Sequence, residues 1–159
     1  MSNMSLDVQL ASDVDVPEAA SEAHLTGLIR HVLVEEDASG NWSIAIQFTS
    51  DAEIQRMHRD FMRIDAPTDI MTFPYDGSDE AFPGVIEDAA GGDLVISVDR
   101  ARENAGPAGW TTADELLFLV AHGVLHLLGW DDHTDAERDG MLARQHDLLR
   151  AWQGEIPRP

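Results

Sequence analysis

Cysteine is absent from this sequence of 159 residues, which excludes disulfides, thiolate catalysis and cysteine-based metal sites. Any metal ligand must therefore be His, Asp, Glu or a backbone oxygen. Long apolar runs are also absent: none approaches the roughly 20 residues that span a bilayer. Residues 1–16 have neither the basic leader nor the apolar segment of a secretion signal. We therefore expect a soluble, cytoplasmic protein with no membrane partner.

Lysine is absent as well. The chain has 10 basic and 30 acidic residues, which gives a formal net charge of −20. This charge balance argues against an extended basic surface that binds nucleic acid, because phosphate binding depends on clustered cations. Arg56, Arg59 and Arg63 are a local exception. They recur every three or four residues, so on a helix their guanidinium groups would lie along one side.

The length fits one domain spanning residues 1–159, with 153–159 expected as a frayed tail. Alternating and short apolar runs predict strands at 6–10, 42–48, 70–73 and 94–98. Helical periodicity predicts helices at 17–32, 51–62 and 136–152, and a central one that Thr111 or Thr112 caps and Gly129 ends. Residues 74–92 read as a loop. We predict an α+β fold in which a small mixed β-sheet packs with helices, the central one buried.

His122 and His126 lie four residues apart in the apolar run of this central helix, so both imidazoles leave the same face. Either histidine alone would more simply be a hydrogen-bonded core residue. Burying two unmated imidazoles costs free energy that metal coordination recovers, so the pair predicts a shared metal ion. Gly129 would turn the chain back, so that a third ligand comes from residues 130–133.

The order of two histidines, a glycine and a further ligand resembles the zinc-binding run of metzincin proteases. Those enzymes place a general-base Glu directly after the first His, where this chain has Gly123. A peptidase function is therefore disfavoured.

Three motifs together resemble the YbeY family of bacterial endoribonucleases: HGVLHLLGWDD at 122–132, PTDIMTFP at 67–74 and GDLVISVDRARENA at 92–105. The resemblance implies one Zn²⁺ per chain and a single-strand-specific endoribonuclease. It further implies a role in maturing the 3′ end of small-subunit ribosomal RNA and in ribosome quality control. The implied partners are ribosomal RNA and the small ribosomal subunit, with ribosomal proteins as further candidates.

The chain departs from the family pattern at the third ligand, which is usually a histidine six residues after the second. Asp132 stands at that offset and His133 follows it. We expect Asp132 to be the third ligand, because oxygen ligands suit zinc and the Gly129 turn sets the offset. His133 is the alternative.

A second departure concerns an arginine that many family members carry before PTDIMTFP. Aligning backwards from Pro67 puts that position on Met62. Arg59 and Arg63 are the candidates to bind substrate phosphate in its place. The alternative is that both are solvated helix charges.

A three-ligand site with an open position lowers the pKa of a bound water to about 7, so metal-bound water is the expected nucleophile. No side chain is identified as the general base. Glu115 shares a helical face with His122 but lies two turns away. The rival function is a ribosome assembly or scaffolding factor with a structural metal, which the acidic composition favours.

Overall fold

Four strands and five α-helices make up the computed structural model, which describes residues 4–75 and 89–153. The strands are β1 (Met4–Ser12), β2 (Gly40–Thr49), β3 (Ile70–Pro74) and β4 (Ala89–Ser97). The helices are α1 (Glu22–Glu35), α2 (Asp51–Met62), α3 (Val98–Ala108), α4 (Thr112–Leu127) and α5 (Asp135–Gln153). None of the helices within these residues has the length and apolar composition needed to cross a membrane.

The strands form one mixed sheet in the order β1-β2-β4-β3. β2 pairs in parallel with both β1 and β4, whereas β3 runs antiparallel to β4 at one edge. Side chains that alternate along a strand point to opposite faces, so Leu94 and Ile96 of β4 enter one core and Val95 enters another. The predicted α+β fold with a small mixed sheet is confirmed.

The larger core lies between one face of the sheet and the helices α1, α4 and α5. Most of α4 is buried, as its apolar run predicts. An ideal Cβ at Gly123 would lie 2.7 and 2.9 Å from the δ carbons of Leu94 and 3.0 Å from Cδ1 of Ile70. This closeness shows that α4 presses directly against β4 and β3.

The smaller core lies on the opposite face of the sheet, where α2 packs. Its buried members are Ile54 from α2, Met71 from β3 and Val95 from β4. The helix is capped by Ser50, whose side chain accepts a hydrogen bond from the Glu53 backbone N–H. α2 and α4 therefore cover opposite faces of the sheet.

Three details differ from the sequence-based expectations. Pro17 precedes only a short 3₁₀ turn, and α1 begins at Glu22 because Ser21 caps it. Residues 89–92 belong to β4, where they pair with β2, and not to the predicted loop. Helix α3 was not predicted at all.

Two predicted segments lie partly outside the described residues. The first is the expected loop 74–92, of which residues 76–88 are not described. The expected tail starts at Gln153, which the structure places at the end of α5, and its remaining residues 154–159 lie outside.

Candidate metal centre

Helix α4, which carries both histidines, begins and ends with strong local signals. Thr111 and Asp114 form a reciprocal capping box at its start. At its end, Gly129 adopts a positive φ of 104°. The N–H groups of Gly129 and Trp130 donate to the carbonyls of His126 and Leu125, both at 3.0 Å. This is the Schellman arrangement, and it turns the chain back toward the two histidines.

Three ligand atoms converge beside this turn. The Nε2 atoms of His122 and His126 lie 3.0 Å apart, and Oδ2 of Asp132 lies 3.5 and 3.4 Å from them. Ligands held about 2.0–2.1 Å from a tetrahedral zinc ion lie roughly 3.3 Å from one another. The triangle therefore has the size that one such ion requires. The three residues can hold a metal.

The orientation of His126 is fixed by the turn that follows it. Its Nδ1 lies 2.9 Å from the carbonyl oxygen of Trp130. A carbonyl only accepts, so Nδ1 carries the proton and, in the neutral ring, Nε2 keeps its lone pair for a metal. His122 directs its own Nδ1 away from the centre, 3.0 Å from Oε1 of Gln145.

His133, the alternative third ligand, lies outside this group. Its side chain is 79% exposed, and its Nε2 lies 3.6 Å from a carboxylate oxygen of Asp131. Asp132, by contrast, has a side chain that is 34% exposed and faces both histidines. The structure thus brings Asp132 to the predicted pair and leaves His133 at the surface.

Of the candidate substrate-binding residues, Arg59 belongs to α2 and Arg63 directly follows it, and α2 covers the other face of the sheet from α4. Arg59 is near two carboxylates, at 3.5 Å from Asp60 and 3.9 Å from Asp65. Arg63 ends the helix in a left-handed conformation and has no ion pair among the described residues. Met62, at the position where the family pattern has arginine, is 46% exposed.

Glu115 is a buried carboxyl group on the same helix as the histidines. Burial, helped by the negative charge of Asp69 and partly opposed by a hydrogen bond from Trp110, raises its pKa to about 7. Asp69 thus lies close enough to Glu115 for its charge to act on that carboxyl group.

Residues that the sequence did not indicate stabilise the turn at 129–132 that follows α4. Glu36, at the end of α1, accepts from the indole N–H of Trp130 at 2.7 Å and from Nε of Arg144 at 2.7 Å. The indole of Trp130 packs partly buried against the core and ties the turn to α1.

A small α+β fold with two histidines on a buried helix and an aspartate from the next turn defines a protein with a candidate single-metal centre. Comparison with known sequences agrees: the family described as Endoribonuclease YbeY matches residues 8–153. The chain belongs to this family.

Individual relatives match along nearly the whole chain. Endoribonuclease YbeY of Halalkalibacterium halodurans is 32% identical, over 94% of this chain and 97% of its own. The Chloroflexus aggregans protein of the same name is 36% identical, over 92% of each chain. The solution structure of TM1509 from Thermotoga maritima is similar in fold, with a TM-score of 0.62 at 23% identity, over 93% of this chain and 90% of that one.

Proposed function

We propose that this protein is a zinc-dependent, single-strand-specific endoribonuclease that acts in the cytoplasm. Its proposed role is to mature the 3′ end of small-subunit ribosomal RNA and to take part in ribosome quality control. Family membership supports the reaction class. The observation that carries the metal dependence is the triangle of His122, His126 and Asp132, whose ligand atoms lie 3.0–3.5 Å apart.

The three side chains are suited to a reacting metal because each remains accessible. His122, His126 and Asp132 are 20%, 24% and 34% exposed, so solvent and substrate reach the site. A bound zinc would supply Lewis acidity at a phosphate oxygen and lower the pKa of water toward neutrality. Two neutral imidazoles and one carboxylate leave part of its charge uncompensated. The centre would therefore attract a phosphodiester although the chain carries −20.

The proposed partners are ribosomal RNA and the small ribosomal subunit. Seven arginines of the described residues pair with carboxylates of the same chain: 56, 59, 100, 102, 138, 144 and 150. Few cations are thus left to hold RNA phosphates. Arg59 and Arg63 are proposed to provide the contact, and Arg63 has the more available guanidinium.

The function is tested by incubating a structured RNA that has an unpaired 3′ extension with the purified protein. We expect cleavage in the unpaired segment, loss of cleavage with a chelator and recovery on adding zinc. His126→Ala should be inactive, whereas His133→Ala should cut like the wild type, because His133 is outside the ligand triangle. Cleavage that survives chelation and His126→Ala would overturn the proposal.

A second candidate function is a ribosome assembly or scaffolding factor with a structural metal. The observation that favours it is the net charge of −20, since a basic ribosomal protein tolerates an acidic surface better than bare RNA does. Sedimentation with small ribosomal subunits separates the two functions. Association without any metal-dependent cleavage would make the scaffold the better account.

A further inference from the structure

Gln145 of α5 is a polar side chain buried completely, at 0% exposure, in the interface between α5 and α4. Burying a carboxamide costs free energy unless both of its ends are hydrogen-bonded. Its Nε2 donates to the backbone carbonyl of Phe118 at 3.2 Å, and its Oε1 lies 3.0 Å from Nδ1 of His122. Both ends are therefore satisfied by α4, across one turn of that helix.

These two contacts determine which nitrogen of His122 carries the proton. The carbonyl of Phe118 can only accept, so the amide NH₂ must point to it and the amide oxygen must point to His122. The amide oxygen can also only accept, so Nδ1 of His122 must be the donor. A neutral imidazole has one N–H, and its Nε2 is therefore left with a free lone pair.

We propose that Gln145 is a positioning residue for the metal centre, one that holds His122 in the Nδ1–H tautomer with Nε2 directed at the metal. This inference rests on the proposed metal site. It assigns to α5 a part in metal binding, although α5 supplies no ligand. Trp130 does the same for His126 through a backbone carbonyl, so substituting Gln145 removes the orienting contact of His122 and leaves that of His126 in place.

The test compares Gln145→Met with Gln145→Glu. Met has a similar shape but no donor for the Phe118 carbonyl and only a weakly accepting sulfur for Nδ1 of His122, whereas Glu still accepts strongly from that Nδ1. Leu148→Ala is the matched control, because Leu148 is a core residue of α5 at 1% exposure whose side chain is not hydrogen-bonded to the site. It reports how much a general loss of packing on α5 affects metal binding.

Two measurements are made without RNA. Zinc affinity is measured by competition with a chromophoric chelator. The tautomer of His122 is read from the imidazole ¹⁵N shifts of the metal-free protein at pH 8, where an ordinary histidine is neutral. For Gln145→Met we expect zinc affinity to fall about 10- to 100-fold, the usual effect of removing a group that orients a metal ligand. Gln145→Glu should recover most of that loss, and Leu148→Ala should stay within about twofold of the wild type.

The wild-type spectrum should show His122 protonated at Nδ1, which remains a test even if Gln145→Met does not fold. Wild-type His122 protonated at Nε2, or unchanged zinc affinity in folded Gln145→Met, would overturn the inference. These outcomes are distinct from failure of the proposed function. A protein that binds zinc in this way but cuts no RNA would retain the role of Gln145, whereas a wild type that binds no zinc would refute it.

Discussion

In their neutral forms, His122 and His126 direct their Nε2 lone pairs at each other across 3.0 Å, because the Nδ1 of each ring lies against an oxygen acceptor. Two lone pairs at this distance repel unless a proton or a cation lies between them. A metal ion removes the repulsion and also satisfies the carboxylate of Asp132. The arrangement therefore links metal binding to the stability of the fold.

Zinc should raise the melting temperature of the wild type. A ligand that binds only the folded state stabilises it by about 2.7 kcal/mol when present at roughly 100 times its Kd. His122→Ala and His126→Ala should lose this increase while remaining folded, and the wild type should bind about one zinc per chain. Differential scanning fluorimetry across a zinc series, with elemental analysis, is the measurement. Full metal content in the double alanine variant would exclude this site.

The third ligand is tested by comparing neighbouring residues. Asp132→Ala should weaken zinc binding more than His133→Ala, because Oδ2 of Asp132 lies within 3.5 Å of both histidine nitrogens and His133 is 79% exposed. Competition with a chelator gives both affinities. The opposite ranking would mean that the loop shifts by one residue when metal binds.

Local patterns in the sequence predicted much of the fold. β2 was predicted because alternate residues along it face the core, and α4 because its apolar run is followed by the Gly129 turn. Helix α3 was missed because its buried residues are Val98, Ala101 and Ala105. Alanines contribute little to hydrophobic periodicity, and Gly106 and Pro107 disfavour a helix.

At the candidate site, the residues close together in the sequence were predicted, and those brought together from distant parts of the chain were not. Two candidate ligands are four residues apart on one helix and the third follows its terminating glycine, so spacing indicated the pair and the loop 130–133, and the family resemblance indicated position 132 within that loop. Glu36 and Trp130 are 94 residues apart, and Gln145 is 23 residues from His122. Such contacts depend on how α1 and α5 pack on α4, which no local pattern records.

Glu115 should make stability depend on pH. Its pKa rises from 4.5 to about 7 on folding, chiefly through burial, so the folded state favours the protonated form. The stabilisation is complete below about pH 4.5 and is lost as the pH rises to about 7. Glu115→Gln should therefore unfold like the wild type at pH 4 but be more stable at pH 8, by about 1–2 kcal/mol after allowing for solvent screening.

Urea denaturation at the two pH values measures this difference in the free energy of unfolding. Exposed Glu35 provides the control, and Glu35→Gln should show no such pH-dependent gain. Equal stability of Glu115→Gln and the wild type at pH 8 would show that the carboxyl group ionises without cost in the folded protein.

Gly123→Ala should destabilise the protein although alanine is the better helix former. The added Cβ would lie within 3.0 Å of side-chain carbons of Leu94 and Ile70, and such overpacking costs about 1–3 kcal/mol. The gain in helix propensity offsets at most about 1 kcal/mol. Gly140→Ala on α5, where nothing lies within 4 Å of the new Cβ, should be neutral or stabilising in the same denaturation experiment. A stable Gly123→Ala would mean that α4 can move off the sheet.

A protein with a net charge of −20 has few cations with which to bind RNA. Replacing Arg59 and Arg63 together with alanine should weaken RNA binding and flatten its dependence on salt, because each phosphate contact to single-stranded nucleic acid contributes about 0.7 to the slope of log K against log salt. Arg59 is near Asp60 and Asp65, whereas Arg63 has no ion pair among the described residues. Arg63→Ala alone should therefore account for most of the change.

Fluorescence anisotropy with a labelled single-stranded RNA, measured from low to moderate salt, gives the slope for each variant. Arg138→Ala is the control, since Arg138 is similarly exposed at 55% but belongs to α5 and pairs with Asp135. A slope that falls equally with Arg138→Ala would indicate only the change in net charge. An unchanged slope in the double variant would exclude both arginines as phosphate contacts and would leave the metal-dependent mechanism intact, because α2 carries none of its ligands.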